Sequence, residues 1–167
     1  MHRLAKTVLT SFVLFGAPCF LLAQNPQANT LDSTQRTTLA VSISGLRNDK
    51  GQILVELWNS PDGFPTNGDK GFKLVTVDGS KAVGGTIAVT FSVPPGTYAV
   101  STLHDENRNN KMNIGALGIP KEGYGASNNV APHFRSPSFE EAKFIVPASG
   151  QKISICMRYL IGTHSHC

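Results

Sequence analysis

Oxygen-bearing side chains recur at every second position in one asparagine-rich segment of the chain. Asp105, Asn107 and Asn109 correspond to positions 1, 3 and 5 of a calcium-binding loop. Position 7 of such a loop supplies a backbone carbonyl, which here belongs to Lys111, and position 9 is Asn113. Hard divalent cations prefer carboxylate, amide and carbonyl oxygens, so this spacing predicts a calcium site formed by these five residues.

Two further positions of the same loop argue against calcium. Position 6 is Asn110, where glycine is usual, and position 12 is Ala116, where a bidentate glutamate is expected. Asp105 is then the only carboxylate among the predicted ligands, which is little negative charge for a divalent cation. The alternative is an asparagine-rich turn whose side chains hydrogen-bond to their own backbone. The sequence leaves both interpretations open.

A second group of candidates surrounds this segment, where the chain becomes rich in glycine. Five of its residues are predicted to bind a ligand: His104, Glu122, Tyr124, Ser127 and Asn128. They fall within residues 104–139, between two predicted strands. Ordered loops longer than about 12–15 residues are uncommon and often functional. The sequence therefore predicts an accessory or binding module whose partner is an envelope ligand or protein that the residues do not identify.

Two other functions fit the same residues. The first is a hydrolase of envelope material in which His104 works with Glu122 or Tyr124. Asp105 cannot pair with its neighbour His104, because adjacent strand residues point to opposite faces. No nucleophile elbow, HExxH motif or paired CxxC motif occurs, which favours a non-enzymatic protein. The second alternative is a purely structural domain with the insertion as a packed lid, which predicts buried Tyr124 and Phe134 rings and no open pocket.

The elements that must position these candidates show a period-two alternation of apolar and polar residues. The alternation and the turn residues between the runs predict seven short strands, at residues 39–44, 53–58, 72–77, 87–93, 98–104, 142–146 and 153–160. We expect an all-β fold, a seven-stranded antiparallel Ig-like or prealbumin-like β-sandwich with one long loop insertion. The first two strands, joined by a turn, are predicted to form a β-hairpin.

The N-terminal residues have the pattern of an export signal. Residues 1–23 combine a positive start, a mainly apolar run and the small residue Ala23 at the expected cleavage point. A polar linker at 24–36, the β-sandwich domain at 37–161 and a flexible tail at 162–167 complete the predicted organisation. We expect a periplasmic or secreted protein with no stable membrane span after signal cleavage.

Signal cleavage would leave a chain with little net charge and two cysteines. The net charge of +4 falls to +2 once Arg3 and Lys6 are removed. The remaining basic residues form no cluster interleaved with aromatic residues, so nucleic acid is not an expected partner. Cys156 and Cys167 are retained, and an oxidising compartment permits either a bridge between them or two free thiols.

Four segments of the chain resemble a bacterial family. They read LRNDKGQILVELWNSPDGFP at 46–65, PPGTYAV at 94–100, HDENRNNKMN at 104–113 and GIPKEGYGASNN at 118–129. Through them the chain is similar, over about residues 38–160, to the family called domain of unknown function 2141. The resemblance implies an exported envelope protein with a sandwich fold and no established activity. Members typically read asparagine-glycine-asparagine-glycine-lysine-leucine-aspartate along the acidic loop, and Arg108, Asn110 and Asn113 depart from that pattern.

Overall fold

Eight strands and one short α-helix occur in residues 35–131 and 135–162, the part of the chain that the computed structural model describes. The strands are β1 (Thr37–Ser44), β2 (Gln52–Trp58), β3 (Lys73–Asp78), β4 (Ile87–Val93), β5 (Gly96–Asp105), β6 (Gly123–Ala126), β7 (Phe144–Val146) and β8 (Gln151–Cys156). The helix α1 spans Phe139–Ala142. Within these two ranges no helix is long and apolar enough to cross a membrane. The predicted signal at 1–23, most of the linker and most of the tail lie outside the described residues.

The strands form two sheets that enclose a common core. One sheet has the order β4-β1-β8, and the other has the order β3-β2-β5-β6, with β7 also pairing to β5. Alternate positions of both sheets turn inward because successive strand side chains point to opposite faces. The buried core includes Leu39, Val41 and Ile43 of β1, Val55 and Leu57 of β2, and Val89 and Phe91 of β4. The predicted all-β class is confirmed, and the two packed sheets agree with a β-sandwich.

The pairing of the first strands differs from the prediction. β1 pairs with β4 and β8, whereas β2 pairs with β3 and β5, so the expected β1–β2 hairpin is wrong. The turn between them carries the chain from one sheet to the other, with Gly45 and Gly51 at positive φ. β1 and β8 are parallel, so the fold is not purely antiparallel. Alternation shows which face of a strand is buried, but it does not show which strand lies beside it.

The described residues contain eight strands rather than the seven expected, because β6 lies inside the predicted loop and pairs with β5. Glycine has a low strand propensity, which is why this stretch reads as a loop. The glycines are explained by close packing instead. A Cβ atom at Gly123 would lie 2.3 Å from the ring of Tyr159, and one at Gly125 would lie 2.7 Å from Ile155. The insertion is therefore partly built into the larger sheet.

A smaller apolar cluster covers part of the outer face of the larger sheet. Trp58 is fully buried in it and packs edge-to-face against Phe64, with 5.5 Å between the ring centroids. Phe64 packs in the same way against Phe139 of α1 at 5.9 Å. The indole N–H of Trp58 donates a hydrogen bond to the hydroxyl of Ser101 at 2.9 Å. These aromatic residues fold onto the sheet and do not form an exposed contact surface.

The structure decides whether Cys156 is a free thiol. Cys156 is disulfide-bonded, so it is not one of the free thiols that the sequence left open. Cys19 and Cys167, the other two cysteines of the chain, lie outside the described residues. The pairing of Cys156 with Cys167 stays a prediction.

Candidate functional site

His104 lies on the inner face of β5 and is fully buried between the sheets. Its Nε2 atom is 2.9 Å from the carbonyl oxygen of Lys50, and its Nδ1 atom is 2.6 Å from the hydroxyl oxygen of Tyr159. A carbonyl oxygen only accepts, so Nε2 carries a proton, and in the neutral imidazole Nδ1 accepts from the hydroxyl. Burial raises the pKa of Tyr159 to about 12, which keeps this donor protonated. Both ring nitrogens of His104 are thus bonded within the fold.

Glu122 is buried and joins two parts of the insertion. Its Oε1 atom accepts from the backbone N–H of Glu106 at 3.1 Å, and its Oε2 atom accepts from that of Asn113 at 2.9 Å. The hydrogen bonds of His104 go to Lys50 and Tyr159, and none of them reaches Glu122 or Tyr124. The structure therefore does not form the acid–base pair that the hydrolase hypothesis needs.

Ser127 joins α1 to β5, and Asn128 binds the C-terminal end of α1. The Ser127 hydroxyl is fully buried, accepts from the N–H of Val100 at 3.0 Å and donates to the carbonyl of Ala142 at 2.6 Å. The side-chain amide of Asn128 donates to the carbonyls of Glu141 and Lys143, each at 3.0 Å. Both residues therefore contribute to the packing of α1, and their ligand-binding role stays a prediction.

Tyr124 is the predicted ligand-binding residue that keeps part of a ring at the surface. Its backbone pairs with Leu103 of β5 on one side and with Arg158 on the other. Leu54 pairs with Leu103 in turn, so these half-buried side chains form a row across the outer face of the larger sheet. Burial raises the pKa of Tyr124, so its hydroxyl is neutral at physiological pH.

Asp105, the first predicted metal ligand, is buried at the end of β5, and its carboxylate accepts several hydrogen bonds from the chain. Oδ1 accepts from the N–H of Asn109 at 3.1 Å. Oδ2 accepts from the N–H of Asn110 and from the side-chain amide of Gln52, each at 2.8 Å. Burial acts to raise the pKa of Asp105, but these hydrogen bonds outweigh it and the pKa lies below its usual value. The ionised carboxylate is therefore stabilised by N–H donors of the chain.

The other predicted metal ligands bond to one another and to the backbone. Asn107 Oδ1 accepts from the N–H of Asn109 at 3.3 Å, and Asn109 Oδ1 accepts from the N–H of Lys111 at 3.1 Å. The side-chain amide of Asn109 donates to Oδ1 of Asn113 at 2.6 Å. Among the residues described, no group of three or more His, Cys, Asp or Glu side chains is placed to hold a metal ion. This arrangement favours the asparagine-rich turn, and calcium binding stays a prediction.

Sequence reasoning missed Arg47, which attaches the insertion to the rest of the domain. Its Nε atom donates to Glu106 Oε1 at 2.8 Å, and Nη2 contacts the second carboxylate oxygen. Nη1 donates to the carbonyl of Ile161 at 2.7 Å, and Nη2 donates to that of Lys121 at 3.1 Å. The guanidinium carbon also lies 4.6 Å from the centroid of the Tyr159 ring. No local pattern reveals these contacts, because the partners are 59 to 114 residues away in sequence.

Residues 113–121 form a short hairpin within the insertion, which we call the tip hairpin. Its arms are joined by hydrogen bonds from the N–H of Lys121 to the carbonyl of Asn113 at 2.9 Å and from the N–H of Gly115 to that of Ile119 at 2.7 Å. Glu122 holds the base, because its carboxylate accepts from the N–H of Asn113. The hairpin is therefore a fixed feature of the surface.

The tip hairpin exposes three large aliphatic residues. Ile114 is 53% exposed, Leu117 is 97% exposed and Ile119 is 38% exposed. Leu117 also has a left-handed backbone conformation, with φ 61° and ψ 21°. Neither feature was predicted, because this stretch has no periodicity from which exposure can be inferred.

The fold and the site define a class of all-β, two-sheet domains in which an insertion, fastened by Arg47 and Glu122, presents a tip hairpin with exposed aliphatic side chains. The chain belongs to the bacterial family described as "Uncharacterized protein conserved in bacteria (DUF2141)", whose model matches residues 41–154. This match confirms the resemblance inferred from the four sequence segments. No curated protein and no solved structure matches the chain.

Proposed function

We propose that this protein is an exported, non-catalytic binding module that contacts an envelope ligand or protein through the tip hairpin. The observation that carries the proposal is the exposure of Leu117, together with Ile114 and Ile119, on a hydrogen-bonded hairpin. Contiguous exposed apolar side chains on a soluble domain commonly mark a contact site. Loops held by a rigid scaffold are the usual place for such sites.

The burial and the hydrogen bonds of the candidate catalytic groups favour a binding function over hydrolysis. His104 is fully buried and both of its ring nitrogens have hydrogen-bond partners. The Glu122 carboxylate accepts from two backbone N–H groups. A general base must reach the proton that it removes from the substrate, and neither group is accessible for that step.

The alternative of a purely structural domain does not explain the exposure of side chains in the insertion, whereas the binding proposal does. It predicts a buried Tyr124, whereas that ring is half-buried, and Phe134 lies outside the described residues. A shallow depression of about 420 Å³ lies on the three-stranded sheet β4-β1-β8. It is lined by Thr38, Ala40 and residues 149–152 and contains none of the predicted site residues. A structural lid also gives no reason for the exposure of Leu117.

Export is the second part of the proposal and is supported by the signal pattern of residues 1–23. N-terminal sequencing of the protein recovered from fractionated cells tests it. We expect a mature chain that begins at Gln24 in the periplasmic or extracellular fraction. An intact Met1 in the cytoplasmic fraction would overturn this part.

Site-specific photo-crosslinking in cells that produce the full chain tests the contact role. A photo-reactive side chain replaces Leu117 in one variant and Val83 in the control, because Val83 is 82% exposed on a different turn. We expect a discrete adduct from position 117 and none from position 83. Equal adducts from both positions would contradict the proposal, as would the absence of any adduct, to protein or to lipid, from position 117.

A further inference from the structure

We infer that the tip hairpin binds the surface of a phospholipid bilayer that contains anionic lipid. This inference rests on the proposed function and names the class of partner. The segment from Lys111 to Lys121 has lysine at both ends and no other charged residue between them. Met112, Ile114, Ala116, Leu117, Ile119 and Pro120 provide the apolar residues in that interval. An apolar tip flanked by cations fits the interface between acyl chains and anionic headgroups.

Leu117 contributes little to the folded domain. It is 97% exposed and therefore buries almost no apolar surface. Its left-handed backbone is unfavourable for leucine by roughly 1–2 kcal/mol, whereas asparagine or glycine tolerates it. A bulky apolar residue in a conformation that disfavours it marks a position where contact with another molecule is the physical reason for its presence.

Two more exposed aliphatic residues lie beside the base of the tip hairpin. Leu160 and Ile161 follow Arg158, whose backbone pairs with Tyr124 of β6. Arg47 binds the carbonyls of both Lys121 and Ile161, so these two backbone segments run next to each other. Within the described ranges, the tip hairpin and this neighbouring segment hold five of the nine exposed large hydrophobic residues, and we call these five the aliphatic cluster.

The shape and size of this cluster favour a bilayer over a folded protein. Standard protein interfaces bury about 800 Å² on each partner, which is more than five partly exposed aliphatic side chains supply. A bilayer needs no complementary shape, and its affinity grows with the apolar area buried and with the attraction of lysines to anionic lipid. The side chains of Lys111 and Lys121 are both exposed and free to extend to the headgroups.

Vesicle flotation with protein processed and purified from cells that express the full chain tests the inference. The vesicles contain phosphatidylethanolamine with phosphatidylglycerol, or phosphatidylcholine alone. We expect binding to the anionic vesicles that weakens in high salt. Leu117→Asn should lower the partition coefficient by about tenfold or more, because the variant has no leucine side chain to transfer from water into the bilayer. Val83→Asn removes another highly exposed aliphatic side chain, on a different turn, and should leave binding unchanged.

The outcomes separate this inference from the proposed function. Loss of flotation in L117N but not in V83N supports bilayer binding. No flotation of the parent protein overturns it, yet a protein adduct at position 117 in the crosslinking experiment would leave the proposed function intact. Equal binding by L117N and the parent also overturns it, provided that circular dichroism shows both chains folded. Absence of both flotation and adduct removes the inference and the proposed function together.

Discussion

The hydroxyl oxygen of Tyr159 lies 2.6 Å from Nδ1 of His104, deep between the two sheets. The same hydroxyl accepts from the backbone N–H of Arg47 at 3.3 Å. The contact joins the segment after β8 to the inner face of β5 and gives His104 a structural role. The residue that most resembles a catalytic base in the sequence thus joins β5 to the turn before β2 and to the segment after β8.

Tyr159→Phe should destabilise the domain by about 1–3 kcal/mol, because the buried Nδ1 atom of His104 loses its donor. Urea denaturation gives the free energy of unfolding of the parent and the variant. Tyr124→Phe is the matched control, since that ring is half-buried and its loss of a hydroxyl should change stability by less than about 0.5 kcal/mol. Equal stability of Y159F and the parent would contradict the structural role.

Glu122→Gln should loosen the base of the tip hairpin. One carboxylate oxygen becomes an amide nitrogen that faces a backbone N–H, so Glu106 or Asn113 loses its acceptor at a cost of about 1–3 kcal/mol. Hydrogen exchange should show faster exchange of those two amides. Glu140→Gln, which alters an exposed carboxylate, serves as the control. Unchanged protection at both amides in E122Q would show that Glu122 does not hold the hairpin.

We expect acidification to destabilise the domain. Hydrogen bonds from Arg47 lower the pKa of Glu106, and those to Asp105 outweigh burial and lower its pKa as well. A carboxyl group with a lowered folded-state pKa stabilises the fold above its unfolded pKa of about 4, and this stability is lost as the pH falls. Asp78, whose pKa hydrogen bonds from Arg108 lower to about 2, acts in the same direction. Burial raises the pKa of Glu56, which acts in the opposite direction.

Urea midpoints measured between pH 7 and pH 3 test this dependence. We expect a plateau above about pH 5 and a decline below it, with a smaller decline in Glu106→Gln, which no longer titrates at that position. A midpoint that rises on acidification would contradict the assigned pKa directions.

If residues 105–113 form the asparagine-rich turn and not a metal site, calcium should not stabilise the protein. The carboxylate oxygens of Asp105 and the side-chain oxygens of Asn107 and Asn109 already accept hydrogen bonds from the chain. We expect the melting temperature in calcium to equal that in a chelator, with Asp105→Asn measured alongside as a variant that weakens the turn. A calcium-dependent rise in melting temperature that D105N abolishes would restore the metal site.

Local alternation was sufficient to predict several of the strands, including the edge strand β4. In β4 the residues Ile87, Val89, Phe91 and Val93 are buried and the residues between them are exposed, as period two requires. β6 escaped prediction because its glycines accommodate the Tyr159 ring and Ile155, a cause that lies in tertiary packing. The parallel pairing of β1 with β8 was not predicted either, because it joins segments that are far apart in sequence.

The sequence directed attention to the segment that holds the tip hairpin, but not to the residues that the proposed function uses. The stretch from His104 to Phe139 was expected to hold the functional surface, and it contains the tip hairpin. Of the residues chosen for their chemistry, His104, Glu122 and Ser127 are buried and hydrogen-bonded. Leu117 carries no polar group, so residue chemistry gave no reason to choose it before its exposure was known.

The stability and the partner binding of L117N, measured on the same preparation, test the contact role of the tip hairpin most directly. Leucine is strained at φ 61° and packs against nothing, so asparagine should leave the free energy of unfolding unchanged or raise it by up to about 1 kcal/mol. Binding to anionic vesicles should nevertheless be lost. If L117N unfolds more easily than the parent but binds anionic vesicles as tightly as the parent does, Leu117 serves the fold and not a partner.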